Sequence, residues 1–186
     1  MNENIWVIRM DKMENTIFNG KDIYTEFGKC SMSDYNIFSD LEYISLKKNI
    51  NNNILFVKEI SKKISDLKDK YKIKKESDCV RILTAWSKEM KIGDYIFIYH
   101  SEENINKTSL ARIASDIEFF SIEKIFTGID IPNEKIELMK RKVNKLQSIP
   151  EDLEKKIRKS YFRQTLVRIN NSSTTGKICI EYIESL

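Results

Sequence analysis

An α+β fold, a curved antiparallel sheet or small β-barrel with peripheral helices, is what the order of periodicities along this chain predicts. Segments of alternating hydrophobicity and segments of helical spacing follow one another in irregular runs, not in the regular strand-helix alternation of parallel α/β proteins. The most informative stretch, Val80 to Ser101, joins an amphipathic helix to an aromatic-rich strand through a Gly-Asp turn. At 186 residues, with 41% hydrophobic and 32% charged side chains, the chain can bury a core as a single domain spanning 1–186.

The elements follow in order. Ile5 to Met10 alternates as an opening strand, with Trp6, Ile8 and Met10 on one face and Ile5, Val7 and Arg9 on the other. Asp22 to Gly28 and Leu41 to Leu46 are shorter strands, separated by the turn-prone stretch Ser31 to Asp34. After the Asn51-Asn52-Asn53 break, Ile54, Val57, Ile60, Ile64, Leu67 and Tyr71 recur at helical spacing and predict a long surface helix. Ser77 is placed to cap a second helix, whose apolar face is Val80, Leu83, Trp86 and Met90 and which Gly93 ends.

Next comes the strand Tyr95 to His100. Tyr95, Phe97 and Tyr99 share one face, and Ile96, Ile98 and His100 the other. Glu102 to Lys107 reads as a polar hairpin loop, with Ser109 to Ser115 and Ser121 to Phe126 continuing a meander. Pro132 and Asn133 open a helix with Ile136, Met139, Val143 and Leu146 in register, and Ser148 with Glu151 forms a capping box for another through Lys159. The expectation is therefore a helical insertion at 133–160. Thr165 to Ile169 and Lys177 to Ile183 read as closing strands around the turn region Asn170 to Gly176. No internal repeat and no Pro/Gly linker divides the chain.

Composition excludes several classes. No apolar run reaches membrane-spanning length, mean hydropathy is −0.45, and MNENIWVIRM lacks the basic start and apolar stretch of a signal peptide, so the chain reads as cytoplasmic with no membrane partner. Three widely spaced cysteines (Cys30, Cys79 and Cys179) imply buried reduced thiols, and a single histidine argues against a zinc site. No metal and no cofactor is expected. The net charge of +4, from 32 basic and 28 acidic residues, suits a polyanion partner and is equally ordinary without one.

The phrase MKIGDYIFIYHS, preceded by a helix containing CVR, resembles the EVE domain, a branch of the PUA-like superfamily. In that family a Met-Lys-x-Gly-Asp turn leads into a strand closing on Tyr-His-Ser. The same block, with Val80, Leu83 and Trp86 in register, looks like the N-terminal recognition domains of Mrr-type and McrBC-type restriction proteins. IWVIRM is similar to their first strand, SLARIASDIEFF to their next, and IPEDLEKKIRKSYFRQTLVRI to the closing segment of the restriction-associated version. The chain departs from the pattern where Ile82 follows Arg81 in place of the family's Asn, and where the glycine-rich second strand has no counterpart. Residues 30–75 match no part of it.

The resemblance implies a PUA-like, EVE-like domain that binds DNA or RNA, several members of the family accepting a modified or flipped base in a pocket beside this strand. A base removed from its stack needs apolar or aromatic faces and a few groups that read its edge. Trp6, Trp86, Tyr99 and His100 could supply the faces, and Thr84 and Ser101 the edge contacts. Each has an ordinary structural role as well: Trp86 at helical spacing with Leu83 and Met90 fits a core, and Tyr95, Phe97 and Tyr99 fit a barrel interior. Arg9, Arg81, Arg112, Arg163 and Arg168 are candidate phosphate contacts, since a guanidinium holds phosphate oxygens through paired donors; solvated or ion-paired surface arginine is the alternative for each. Arg112, within a small and apolar strand, most needs an explanation.

Enzymatic patterns are weaker. No Gly-rich phosphate loop is present, and His100 has no Cys or Asp near in sequence. Asp130, Glu154 and Lys156 approximate the Asp…Glu-x-Lys spacing of restriction nucleases, yet Glu154 and Lys156 are two apart on a predicted helix and so face different ways. The expected function is a non-catalytic, modified-base-recognising module of a restriction or anti-phage defence system, either excised from a nuclease or ATPase partner or working beside a separate effector. The competing expectation is a protein-binding factor, such as a phage- or host-encoded inhibitor, docking through Ile54 to Tyr71 and Ile136 to Lys159.

Overall fold

The computed structural model describes residues 3–10, 22–26, 51–69, 75–100, 108–116, 118–123, 135–161 and 166–186. The expected strand at 41–46, the turn at 31–34, the loop at 102–107, and the site candidates Ser101 and Arg163 lie outside these residues. The chain is α+β, as expected. Its strands are β1 (Ile5–Met10), β2 (Asp22–Glu26), β3 (Tyr95–His100), β4 (Ser109–Ile113), β5 (Glu118–Glu123), β6 (Lys135–Ser148) and β7 (Leu166–Arg168). Its helices are α1 (Asn53–Leu67), α2 (Glu76–Thr84), α3 (Glu151–Tyr161) and α4 (Thr174–Glu184), with a π-helical turn at Ala85–Glu89.

The strand order is β2-β6-β4-β3-β1-β7, with β5 also paired to β6. The sheet is mixed where a purely antiparallel one was expected, because β1 and β3 run parallel from Ile5 opposite Tyr95 to Met10 opposite His100. The expected meander holds for β3 and β4, which pair antiparallel, and fails at the next strand. β4 pairs β3 and β6, and β5 pairs β6, so the strand after β4 is not its neighbour.

The chain forms two compact units, each discontinuous in sequence. The first comprises 1–23, 90–116 and 142–186, and the second 24–89 and 117–141.

In the first unit, Ile5 and Val7 of β1, Phe97 and Tyr99 of β3 and Leu110 of β4 form one sheet face, buried with Leu153 and Ile157 of α3 and Cys179 and Ile183 of α4. Each helix contributes an i, i+4 pair to this core. Burial of one such aliphatic side chain is worth about 1.5–3 kcal/mol. The opposite face, with Trp6, Ile96, Ile98, Ala111, Ile113 and Val143, is buried too. α3 begins just after Pro150, whose carbonyl accepts from Glu154 N (3.0 Å), and its acids at the start and Arg158 and Lys159 at the end complement the helix dipole.

α4 is a correction. Lys177 to Ile183 alternates like a strand, but the Ser173 side chain accepts from Gly176 N (3.0 Å) and starts a helix that buries Gly176, Cys179 and Ile183 on one stripe. Gly176 is required there, because a Cβ would come 2.1 Å from the Asn170 carbonyl oxygen.

β6 is the reverse correction. The expected helix from Ile136 to Leu146 is a strand, in which Arg141 and Val143 are buried, Lys142 and Asn144 are exposed, and Leu146 is 44% exposed. Its apolar residues, spaced three, four and three apart, fit the helical period and fall on both faces of the strand. Pairing with β4 and β5 satisfied its backbone as a strand. The second helix of the expected insertion is present as α3.

In the second unit, the Asn52 side chain accepts from Leu55 N (3.1 Å) and caps α1, which buries Phe56, Ile60 and Ile64. Its buried stripe therefore runs through Phe56, while Ile54 stands 81% exposed. α2 starts one residue before Ser77, after Lys75, and no side chain caps it. The π-helical turn that follows leaves carbonyls short of helical partners. Arg141, buried, donates from Nε (3.0 Å) and Nη2 (2.9 Å) to the Trp86 carbonyl and lies 5.9 Å from the centre of the indole ring. Lys88 Nζ stands 5.4 Å from the Phe56 ring, and partial burial lowers its pKa. Among the described residues, no helix is long and apolar enough to cross a membrane.

Candidate functional site

The Gly-Asp turn is a structural clamp. Gly93 has φ of +93°, in the left-handed region that side chains disfavour, and its N–H donates to Ile113 O (2.9 Å). Buried Asp94 then accepts from Asn4 N (3.0 Å), Asn4 Nδ2 (3.2 Å), Trp6 Nε1 (2.8 Å) and Lys91 N (3.0 Å). One carboxylate thus satisfies the turn and fixes the start of β1 against the start of β3. Trp6, a candidate base contact, is buried with its indole N–H committed to this clamp. The sequence signal for the clamp was present, since an acid directly after a turn glycine is placed to accept the turn's own N–H groups.

At the other end of β3, Tyr99 is buried in the core beneath α3 and α4 and donates from its hydroxyl to Tyr161 O (3.3 Å). Arg158 lies over its ring at 5.5 Å and pairs with Glu154 at 2.9 Å, while buried Thr108 donates to the same Glu154 oxygen at 3.0 Å. Burial raises the Tyr161 pKa above its usual value. Trp6 and Tyr99 point to opposite faces of the sheet, because Trp6 registers with Ile96 and Arg9 with Tyr99. They do not line one pocket. His100 belongs to β3 and stands opposite Met10; its side chain lies outside the described residues.

Thr84 and Arg81 come together in the second unit. With Val57, Ser61, Glu76, Ser77, Val80 and Glu89 they line an open groove of about 460 Å³ between α1 and α2. Thr84 Oγ1 is buried and has no hydrogen-bond partner among the described residues, and the same holds for Trp86 Nε1. Trp86 itself is fully buried, in keeping with its helical spacing. Arg81 is exposed and stands 3.8 Å from Asp78.

Of the other arginines, Arg9 is half-buried on β1 and Arg168 is exposed on β7 opposite Trp6. Arg112 has the most defined setting. Its Nε donates to Gly93 O (3.0 Å), its guanidinium lies 5.3 Å from the centre of the Tyr95 ring, and Nη2 is 3.7 Å from Glu3, with the side chain still 46% exposed. That geometry explains how β4 carries a charge: alternation turns Arg112 outward while Ala111 and Ile113 are buried. The residues that sequence reasoning passed over are Asp94, Arg141, Thr108 and Arg158, whose partners lie between 46 and 90 residues away except for Lys91 N in the Asp94 clamp and Glu154 beside Arg158.

Among the described residues, no cluster of His, Cys, Asp and Glu could hold a metal ion. The Glu154 carboxylate of the nuclease-like spacing is engaged by Thr108 and Arg158, Lys156 is exposed, and Asp130 lies outside the described residues. Comparison with protein-family models, with curated proteins and with solved structures returns no match.

Proposed function

We propose that this chain is a non-catalytic nucleic-acid-binding module on a PUA-like, EVE-related fold, acting in the cytoplasm as the recognition part of a restriction or anti-phage defence system. Its ligand is DNA or RNA carrying a modified base, and a nuclease or ATPase partner supplies any catalysis. The observation that carries the reading is Arg112, an exposed guanidinium held by the Gly93 carbonyl and the Tyr95 ring on the block that resembles the EVE family. A cation fixed in this way meets a phosphate or a base without first losing side-chain freedom. With Trp6, Trp86 and Tyr99 buried, and the Thr84 hydroxyl buried as well, the base-reading role is left to His100 and Ser101, and the phosphate role to the exposed arginines, Arg112 and Arg168 in the first unit and Arg81 in the second.

A salt series with labelled methylated, hydroxymethylated and unmodified oligonucleotides tests the proposal. Affinity should fall steeply with ionic strength, because phosphate contacts release counterions, and should be highest for one modified form. No binding at low salt would defeat the reading and favour the protein-docking alternative. Exposed Ile54 and Leu55 on α1 support that alternative, as apolar positions of the kind a partner covers.

A further inference from the structure

We infer that the uncovered margin of the first unit's sheet, the cross-strand row Tyr95, Arg112 and Asn144, is a seat for single-stranded nucleic acid, with a base stacked on the Arg112 guanidinium. The inference rests on the nucleic-acid reading above and names its substrate class. Register fixes the row: Tyr95 pairs with Arg112, and Arg112 with Asn144, so the three side chains stand side by side on one face. One step further along that face, Phe97, Tyr99 and Leu110 are buried in the core with α3 and α4. The row itself stays open, Arg112 and Asn144 being exposed and Tyr95 half-buried. Three neighbouring strands span about 10 Å, enough for a base and the sugar-phosphate on either side.

The chemistry of the row selects the ligand. The Arg112 guanidinium is held 5.3 Å from the centre of the Tyr95 ring while the side chain stays 46% exposed, so a planar group can reach it from solvent. Duplex bases have both faces occupied by their neighbours, so that position accepts an unstacked base. Asn144 offers one donor pair and one acceptor to a base edge. Exposed Lys91, next but one to Gly93, and exposed Lys142, two residues before Asn144 on the same face, flank the row with positive charge. Glu3, 3.7 Å from the Arg112 guanidinium, offsets part of that charge.

The test is fluorescence anisotropy of the full chain with a short labelled single strand, a blunt duplex of the same sequence and a labelled oligoglutamate peptide. The single strand should bind best. Arg112→Lys, which keeps the charge but loses the flat fork, and Asn144→Ala, at an exposed position, should each weaken it, the first by about tenfold, as for loss of one stacked base. Lys177→Ala on α4 should leave binding unchanged. Single-strand binding retained within about twofold in both variants would overturn the seat and leave the nucleic-acid reading standing. Duplex or oligoglutamate bound as tightly as the single strand would overturn the substrate class. Failure of the unmodified chain to bind any oligonucleotide at low salt would overturn the function itself, a result separable from the other two.

Discussion

Replacing Asp94 by alanine should cost about 3–5 kcal/mol of folding stability. The carboxylate accepts from Trp6 Nε1 at 2.8 Å, Lys91 N at 3.0 Å and two Asn4 donors at 3.0 and 3.2 Å. Hydrogen bonds to a charged group contribute about 1.5–3 kcal/mol each, and a buried donor left unpaired costs a similar amount. Asn4 is half-buried, so its donors regain water and add little. Trp6 is 1% exposed and its N–H has nowhere to turn, so most of the loss falls on it and on Lys91 N. For a chain of 186 residues such a loss lowers Tm by about 6–20 °C.

Urea unfolding followed by far-UV circular dichroism reads the value directly, with the m-value reporting whether the transition keeps its character. A double-mutant cycle with Trp6→Phe should give a coupling of about 1–3 kcal/mol. If Asp94→Ala unfolds within about 1 kcal/mol of the unaltered chain at the same m-value, the clamp is not what joins β1 to β3, and Asp94 would have to be reconsidered as a ligand contact.

Three further outcomes are expected. Glu154→Ala should destabilise by about 2–4 kcal/mol, because it strands the buried Thr108 hydroxyl and removes the Arg158 ion pair, whereas Glu154→Gln, which keeps an acceptor, should lose less than half as much; equal losses in urea unfolding would refute this. Gly176→Ala should cost about 1–3 kcal/mol by driving a methyl against the Asn170 carbonyl, and a thermal melt unchanged from the parent would contradict the close approach. Burial pushes the Cys179 thiol from its usual 9.0 up to about 12, so the folded state keeps a proton that the unfolded chain gives up between those values. The stability this contributes is full below pH 9.0 and is lost as pH rises towards about 12. Urea midpoints through the alkaline range should fall less in Cys179→Ala than in the parent; parallel curves would remove the effect.

The local chemistry of the chain was legible where period and punctuation agreed. Ile5 to Met10 and Tyr95 to His100 form strands with the faces that alternation assigned, α1 begins at the Asn51–Asn53 break, and the buried Trp86 follows helical spacing. Two segments misled, Ile136 to Leu146 because its apolar residues follow the helical period alone, and Lys177 to Ile183 because its apolar residues satisfy both periods. Ile136 to Leu146 was drawn into a strand by neighbours that complete its hydrogen bonds, and Lys177 to Ile183 into a helix by Ser173 and by the core stripe of Gly176, Cys179 and Ile183. Neither choice is local, since both depend on what lies across from the segment.

Sequence alone, then, determined which residues could alternate or stack, and that a glycine and an acid would shape the turn before Tyr95. Tertiary structure decided their roles. Asp94 received four donors from Asn4, Trp6 and Lys91. The parallel register of β1 with β3 turned Trp6 and Tyr99 to opposite faces and buried both, while the antiparallel register of β4 set Arg112 beside Tyr95 in the open. Register is a relation between distant strands, and a shift of one residue would exchange the buried and exposed faces, so no reading of a single segment could have fixed which aromatic or guanidinium group would be buried and which exposed.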